Sequence, residues 1–357
     1  MFKNRADRVG RTTQIGPQTL HLKWVRLLNQ PGIQSAAAIA RDGTIYAGSV
    51  AGVLYAFSPS GTVKWAHKLT VYEITAAPAI AADGTVYIVP ENGDLHAFDP
   101  NGSLKWIFPM KGYGGPSASP VIGPDGTVYV GANLLYAVRP DGTLKWKYNT
   151  GSYLAGPPAL GPDGTIYFPS IDYVYALDPN GKLKWRFQGH AAYPPGSAPA
   201  VGENGVIYVN TNDGVLHAIG PDGTFLWKYK TEGIVMDEPS SPAIARDGTI
   251  YFGGGGEYQR RGGYFYAVNP NGSLKWRFFA GCDQTAPAIG GDGTIYFGSN
   301  GCGTIHALNP DGTQKWAYFK NAYMRSPPAI GIGRRLYAGY LADPNYSVYG
   351  GLLAFGP

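Results

Sequence analysis

The sequence predicts an all-β chain, and three observations carry that prediction. Gly and Pro number 52 and 29 among 357 residues, about twice the usual share, which indicates many turns. The chain also has 26 Tyr, 14 Phe and 8 Trp, and disordered chains lack such core material. No long stretch without Gly or Pro carries the 3.6-residue apolar period of a helix.

The eight tryptophans mark a repeat of about 40 residues. Each period contains four short segments rich in β-branched and aromatic residues, of the type Pro-Ala-Ile, Thr-Ile-Tyr, Tyr-Ala-Leu and Leu-Lys-Trp, here called strands A to D. Four strands at this period are typical of a propeller blade. The sequence therefore predicts an eight-bladed β-propeller with four antiparallel strands per blade. The tryptophans that define it are Trp24, Trp65, Trp106, Trp146, Trp185, Trp227, Trp276 and Trp316.

Two kinds of glycine turn separate the strands of each repeat. Asp-Gly pairs such as Asp42-Gly43 predict hairpins between strands A and B, because Gly adopts the positive φ that these turns need. Pro-X-Gly triplets such as Pro59-Ser60-Gly61 predict the turn between strands C and D. A lysine precedes the tryptophan in seven of the eight D strands. We expect these lysines to point outward and to discourage association of the outer edges.

The two ends of the chain are predicted to share one blade. Leu22-Lys23-Trp24 is a strand D with no strand A, B or C before it, and the last repeat ends after strand C at Leu352–Phe355. The N-terminal strand should therefore complete the C-terminal blade, which closes the ring and removes two free sheet edges. We expect residues 1–19 to be a lead-in segment and residues 20–357 to be a single propeller domain.

The repeat resembles the pyrroloquinoline-quinone-like β-propeller repeat, whose blades end in a Gly-x-x-x-Trp docking motif. The motif reads Gly61-Thr-Val-Lys-Trp65 in the first complete repeat and recurs through Gly312-Thr-Gln-Lys-Trp316. The opening residues resemble the lead-in that follows an export signal in such proteins. The resemblance implies the propeller fold and an extracytoplasmic location, and it leaves a cytoplasmic location open.

Quinoprotein alcohol dehydrogenases share this repeat, so that activity is one alternative. Those enzymes hold the quinone between a Trp and a disulfide of adjacent cysteines, with a calcium ion and a catalytic Asp. Here the two cysteines, Cys282 and Cys302, are not adjacent, and every Trp lies in the repeat position. We therefore expect no cofactor. No His-x-His, Cys-x-x-Cys or calcium-loop spacing indicates a metal site.

The variable residues collect on one face of the predicted propeller. The D–A and B–C loops emerge together there, whereas the A–B and C–D turns on the other face are uniform. Function on a rigid scaffold usually resides in its variable loops. The ligand-binding candidates on this face are Tyr72, Tyr113, Tyr153, Tyr258, Arg260, Asp283, Tyr323 and Arg325.

The D–A residues just before strand A should converge on the mouth of the central channel. His190 is notable there, because the repeat accounts for the histidines of strand C. Such side chains could bind a sugar or act as general acid and base. A carbohydrate-active lyase or hydrolase is therefore the alternative to a non-catalytic propeller that binds a glycan or a protein. The catalytic candidates are His190, Tyr193, Glu73, Asp237 and Glu238.

Two irregular features lie on the same face. The stretch from Gly253 to Gly263 lengthens the B–C loop of blade 6, as a lid, a partner-contact loop or a disordered insertion. Cys282 and Cys302 fall in the D–A and B–C loops of blade 7. An exported protein would join them in a disulfide, whereas a cytosolic protein would keep two thiols.

Charge and hydropathy exclude some partners. A formal net charge of +5 is small for a chain of this length, so we expect no nucleic-acid partner. No apolar run reaches the roughly 18 residues that a membrane-spanning helix needs. We expect a monomer.

Overall fold

The computed structural model describes residues 10–110, 118–188, 197–211, 213–232, 240–256, 263–342 and 349–357. Their regular structure consists of 32 strands in eight antiparallel sheets of four. The predicted all-β, eight-bladed propeller is confirmed. No helix in the described ranges has the length and apolar content needed to cross a membrane.

Each sheet is one blade, and strands A to D follow the chain outward from the axis. Blades 1 to 4 consist of β2 (Ala38–Ile39), β3 (Ile45–Gly48), β4 (Val53–Phe57), β5 (Val63–Lys68); β6 (Ala79–Ile80), β7 (Val86–Ile88), β8 (Leu95–Phe98), β9 (Leu104–Phe108); β10 (Val121–Ile122), β11 (Val128–Gly131), β12 (Leu135–Val138), β13 (Leu144–Tyr148); and β14 (Ala159–Leu160), β15 (Ile166–Pro169), β16 (Val174–Leu177), β17 (Leu183–Phe187).

The remaining blades follow the same order, and the last one takes its outer strand from the start of the chain. Blades 5 to 8 consist of β18 (Ala200–Val201), β19 (Ile207–Asn210), β20 (Val215–Ile219), β21 (Phe225–Lys230); β22 (Ala243–Ile244), β23 (Ile250–Gly256), β24 (Gly263–Val268), β25 (Leu274–Phe279); β26 (Ala288–Ile289), β27 (Ile295–Ser299), β28 (Thr304–Leu308), β29 (Gln314–Phe319); and β30 (Ala329–Gly331), β31 (Arg335–Tyr340), β32 (Gly351–Phe355), β1 (Leu22–Leu27).

Small buried residues bring the blades together near the axis. The residue three positions before each strand A pair is Ser, Ala, Gly or Thr, so neighbouring A strands can approach closely. Ser326 Oγ donates to the carbonyl of Ser35 at 2.9 Å, which links blades 8 and 1. Ser119 Oγ accepts from the backbone N–H of Ala77 at 2.9 Å, which links blades 3 and 2.

Every tryptophan donates a hydrogen bond to a proline carbonyl outside its own blade. In seven of the eight cases that proline lies in the C–D turn of the next blade. The indole Nε1 of Trp65 donates to the carbonyl of Pro100, in the C–D turn of the next blade, at 3.1 Å. A Cβ on Gly102 in that turn would lie only 2.9 Å from the Trp65 ring, so Gly is needed there. The other indole donors and their carbonyl acceptors are Trp24 and Pro59, Trp106 and Pro140, Trp146 and Pro179, Trp185 and Pro221, Trp227 and Pro270, Trp276 and Pro310, and Trp316 and Pro17.

The ring closes as the sequence predicted, through pairing of the two ends of the chain. Strand β1 pairs with β32 from Leu22 opposite Phe355 to Leu27 opposite Gly351. Because the chain ends lie in blade 8, no C–D turn is available there for Trp316. The carbonyl of Pro17 replaces that turn and accepts from Trp316 Nε1 at 3.1 Å.

Residues 10–14, which precede β1, pair with the inner strand of blade 7 and the turn that follows it. The backbone of Thr12 donates to Ile289 at 3.0 Å, and Ile289 donates to Gly10 at 2.9 Å. Further along, Gly291 donates to Gln14 at 2.8 Å. Residues 10–17 therefore pack against the propeller and contribute directly to ring closure.

The lysines of strand D do not simply point into solvent, contrary to the sequence interpretation. Lys145 Nζ lies 2.9 Å from Asp125 Oδ2, in the A–B turn of its own blade. In blade 5, Asn204 replaces the aspartate of the A–B turn and Leu226 replaces the lysine of strand D, so the ion pair is lost as a whole. The lysine–aspartate pairs are Lys64 and Asp42, Lys105 and Asp83, Lys145 and Asp125, Lys184 and Asp163, Lys275 and Asp247, and Lys315 and Asp292.

Candidate binding face

The D–A and B–C loops form one face of the ring, fixed by short backbone bridges between them. Leu154 of a D–A loop bridges Ser170 of a B–C loop, and Gln284 bridges Ser299 in the same way. On the opposite face, the C–D proline covers the A–B glycine, and a Cβ on Gly43 would meet Pro59 at 2.9 Å. In blades 4 and 7, backbone bridges therefore tie the two sides of the first face together.

Two of the predicted tyrosines are open to solvent on this face. Tyr72 is 56% exposed in the D–A loop before blade 2, and Tyr153 is 64% exposed in the loop before blade 4. Neither aromatic ring is covered by its own blade. Both can contribute apolar area and a hydroxyl to a partner.

Glu73 lies in a small charge cluster that also includes a second predicted residue. Burial raises the pKa of Glu73, the nearby charge of Glu91 raises it further, and Arg325 lowers it. The backbone N–H of Glu91 donates to the carbonyl of Glu73 at 3.1 Å. Arg325 lies in the D–A loop before blade 8 and Glu73 in the D–A loop before blade 2, so this electrostatic interaction spans blade 1.

Asp283 and Tyr323 are half-buried and have fixed backbones. The carbonyl of Asp283 accepts from the N–H of Asn300 at 2.7 Å. Tyr323 and Leu341 exchange two backbone hydrogen bonds of 3.2 and 3.0 Å. The backbones of these two residues therefore hold their loops in place.

The other predicted site residues lie outside the described part of the chain. These residues are Tyr113, His190, Tyr193, Asp237, Glu238, Tyr258 and Arg260. Of the five catalytic candidates, Glu73 lies in the described part of the chain.

A disulfide joins Cys282 and Cys302, with Cα atoms 5.7 Å apart. It connects the D–A loop that enters blade 7 to the B–C loop of the same blade. Ser299 Oγ donates to the carbonyl of Ala280 at 2.8 Å and links the same two loops. This part of the face is therefore fixed covalently and by hydrogen bonds.

The Gly-rich insertion of blade 6 is partly regular structure. Strand β23 continues to Gly256, which pairs with Gly263 at the start of β24. A Cβ on Gly254 would lie 2.3 Å from the Tyr266 ring, so close packing explains that glycine. The interpretation as a loop was wrong for these strand residues, and residues 257–262 lie outside the described chain.

Sequence reasoning missed an apolar patch at the ends of three adjacent D strands. Leu27, Phe279 and Phe319 are each the third residue after the tryptophan in blades 8, 6 and 7, and they are 57%, 58% and 64% exposed. We call these three residues the rim patch. An alignment of the repeats could have revealed these residues, because the other five blades have a polar residue or a proline at the same position. Those residues are Lys68, Pro109, Asn149, Gln188 and Lys230.

A small pocket of about 20 Å³ lies between blades 4 and 5. His217 of β20 occupies the strand C position that holds Tyr136 and Tyr175 in blades 3 and 4. The smaller imidazole leaves space beside Phe187 and Val209. The cavity thus coincides with a substitution within the repeat.

The described residues do not fit the quinone site of the dehydrogenases. All eight indole N–H groups donate to proline carbonyls at the outer rim, so none of these rings lies at the channel mouth. The disulfide joins cysteines that are 20 positions apart in the chain. Within the described ranges, His, Cys, Asp and Glu form no group of three or more suited to a metal ion.

Comparisons with known proteins agree with this architecture. A family model described as outer membrane protein assembly factor BamB matches residues 10–152, 91–255 and 170–319. The crystal structure of BamB from Moraxella catarrhalis is 18% identical with a TM-score of 0.73, covering 95% of this chain and 100% of that one. No curated protein matches the chain.

Two further structures share the fold. A europium-containing methanol dehydrogenase is 13% identical with a TM-score of 0.77, covering 100% of this chain and 97% of that one. The computationally designed Ika8 protein is 12% identical with a TM-score of 0.75, covering 94% of this chain and 100% of that one. Such low identities show the fold alone. The overlapping family matches run from residue 10 to residue 319, and the chain therefore belongs to the PQQ-like repeat family described as outer membrane protein assembly factor BamB.

Proposed function

We propose that this protein is a non-catalytic scaffold that binds a protein partner through its D–A/B–C face in an extracytoplasmic compartment. The rim patch is the observation that carries the proposal. Three large apolar side chains are exposed at matching positions on neighbouring blades, and exposed apolar side chains of this size are typical of protein interaction sites. The D–A and B–C loops of blade 7, beside Phe279 and Phe319, are joined by a disulfide, which lowers the conformational entropy that binding would cost there.

The family and the disulfide support the partner class and the compartment. The family description names an assembly factor of the outer membrane, a role in which a propeller contacts other proteins. A disulfide between Cys282 and Cys302 is stable in oxidising compartments. Leu and Phe side chains have no hydrogen-bonding groups for sugar hydroxyls, so the rim patch favours a protein over a glycan.

Site-specific photo-cross-linking tests the proposal directly. A benzoyl-phenylalanine at position 319, in cells that express the protein, should cross-link a partner that mass spectrometry identifies. The same probe at position 188, the matching position of blade 4, is the control. With that partner purified, Phe319→Ser should weaken binding by about tenfold or more, as expected for a central apolar contact, while Gln188→Ser should have little effect.

The alternatives are tested on the same protein. Glycan-array binding that is lost in Tyr72→Ala or Tyr153→Ala, together with no cross-link at position 319, would replace the protein partner by a glycan. Polysaccharide degradation by the wild type that is lost in His190→Ala would establish the enzyme alternative. Dye reduction after addition of quinone and calcium would establish the dehydrogenase.

A further inference from the structure

Two blades carry the same arrangement of an arginine over a tyrosine on the outer wall of the ring. Arg277 Cζ lies 4.5 Å from the centre of the Tyr264 ring in blade 6. Arg186 Cζ lies 4.6 Å from the centre of the Tyr173 ring in blade 4. Each arginine directly follows the D-strand tryptophan and pairs across the sheet with the tyrosine two residues after the stacked one. We call each arrangement an Arg-over-Tyr platform.

The platform of blade 6 holds a carboxylate from within the chain. Glu232, in the loop after strand D of blade 5, forms an ion pair with Arg277. The backbone N–H of Glu232 also donates to the hydroxyl of Tyr266 at 3.2 Å. The molecule therefore shows what this arrangement binds, namely the acidic side chain of a neighbouring polypeptide segment.

The platform of blade 4 lacks that internal carboxylate. Glu232 is the fifth residue after Trp227, and the fifth residue after Trp146 in blade 3 is Gly151. A Cβ on Gly151 would have no atom within 4 Å, so the space that the loop could fill is open. Across the described ranges, no acidic side chain forms an ion pair with Arg186.

The wall on either side of this platform is basic. Lys147 of blade 3 and Lys228 of blade 5 occupy the same position after the tryptophan and are exposed. At the position directly after the tryptophan, basic residues therefore occur only in blades 3 to 6, which form one half of the ring. In blades 7, 8, 1 and 2 the equivalent residues are Ala317, Val25, Ala66 and Ile107.

We propose that the Arg186–Tyr173 platform binds a carboxylate of an acidic segment in a partner protein. Stacking on the tyrosine holds the guanidinium plane, and its free edge presents the paired N–H donors that match a carboxylate. Lys147 and Lys228 favour a segment with further acidic residues on either side. The wall turns by about 45° per blade in a ring of eight, so a flat anionic membrane could not contact three adjacent blades. This surface is separate from the rim patch.

A fluorescein-labelled hexaglutamate peptide tests the platform by fluorescence anisotropy at low ionic strength. Arg186→Ala should weaken binding by roughly two- to fivefold, the range of an exposed ion pair. Arg186→Lys should fall between the alanine variant and the wild type, because it keeps the charge without the planar fork. Glu232→Gln should free the platform of blade 6 and add a second binding site.

The glycine position provides a matched pair of control variants. In Gly151→Glu, the new carboxylate should occupy the platform from within the chain. Peptide binding should therefore be weakened as much as it is in Arg186→Ala. Gly151→Ala carries the same backbone cost at a φ of 80° and should leave binding unchanged. Thermal unfolding of every variant separates loss of the site from loss of the fold.

Three results would overturn the proposal. One is wild-type protein that does not bind hexaglutamate, and another is an Arg186→Ala variant that binds it as the wild type does. The third is tighter binding of hexathymidylate than of hexaglutamate, with the same dependence on Arg186. That result would show that the platform prefers a nucleic acid.

Discussion

The aspartates of the A–B turns are held in their ionised form by contacts within their own blade. Burial alone would raise the pKa of Asp125, but hydrogen bonds from Lys145 and Thr127 outweigh it and lower the pKa to about 2. The folded pKa lies below the ordinary value of 3.8. The ionised carboxylate therefore stabilises the fold above about pH 4, and this contribution is lost as the pH falls towards 2.

Asp125→Asn removes the negative charge from the Lys145–Asp125 pair and keeps the size of the side chain. The amide oxygen can still accept from the turn backbone, as Asn204 does from Val206 in blade 5 at 3.2 Å. We expect the free energy of unfolding at pH 7 to fall by about 0.5–1 kcal/mol, since both side chains are partly exposed. Urea unfolding should show this difference at pH 7 and 5 and its decline between pH 4 and 2. A difference that is constant over the whole range would contradict the ionic origin.

In blade 7, one covalent bond fixes two loops of the candidate binding face. The D–A and B–C loops are joined by the disulfide, and Gln284 also bonds back to the carbonyl of Cys282. The bond therefore constrains the unfolded chain and orders the face beside Phe279 and Phe319.

Replacing both cysteines should destabilise the ring without changing its architecture. Cys282→Ser with Cys302→Ser removes a link across 20 positions, which the loop-entropy model values at about 3 kcal/mol. Thermal and urea unfolding of the wild type with and without dithiothreitol provides the comparison. The double variant should not respond to the reductant, and a wild type that does not respond would show that the disulfide contributes nothing to stability.

At the scale of the whole molecule, closure depends on the first residues of the chain twice. Strand β1 supplies the outer strand of blade 8, and Pro17 supplies the acceptor for Trp316. The two contacts lie on successive blades, so losing the N-terminal segment would leave both blades 7 and 8 incomplete.

Deleting residues 1–27 should therefore cost more than the loss of one edge strand. We expect at least about 3 kcal/mol, because the deletion removes the packing of Trp24 against blade 1 and takes Pro17 away from Trp316. A circular permutant, with residues 21–28 placed after Pro357 through an inserted Asp-Gly, rebuilds a Pro-Asp-Gly turn between β32 and β1. It is the control and should unfold in one cooperative transition like the wild type. A deletion variant as stable as the wild type would show that the ring does not need closure.

The repeat pattern predicted the strands well, because each blade is specified by local periodicity and turn residues. The loops were less predictable. Tyr72 and Tyr153 could be assigned to the face by their position after strand D, but the pairing of Lys145 with Asp125 could not be read from alternation alone. It joins the outer strand to the turn between the two inner strands, and its sequence signal is the joint replacement of both residues in blade 5.

The number of blades, the order of their strands and the shared last blade could all be predicted from the amino-acid sequence, since they follow from short-range patterns repeated eight times. The three-dimensional structure was needed to show that Pro17 takes the place of a missing turn, and that Glu232 fills one Arg-over-Tyr platform while Gly151 leaves the other open. Each of these depends on side chains that meet across blades, and closure of the ring sets which residues become neighbours.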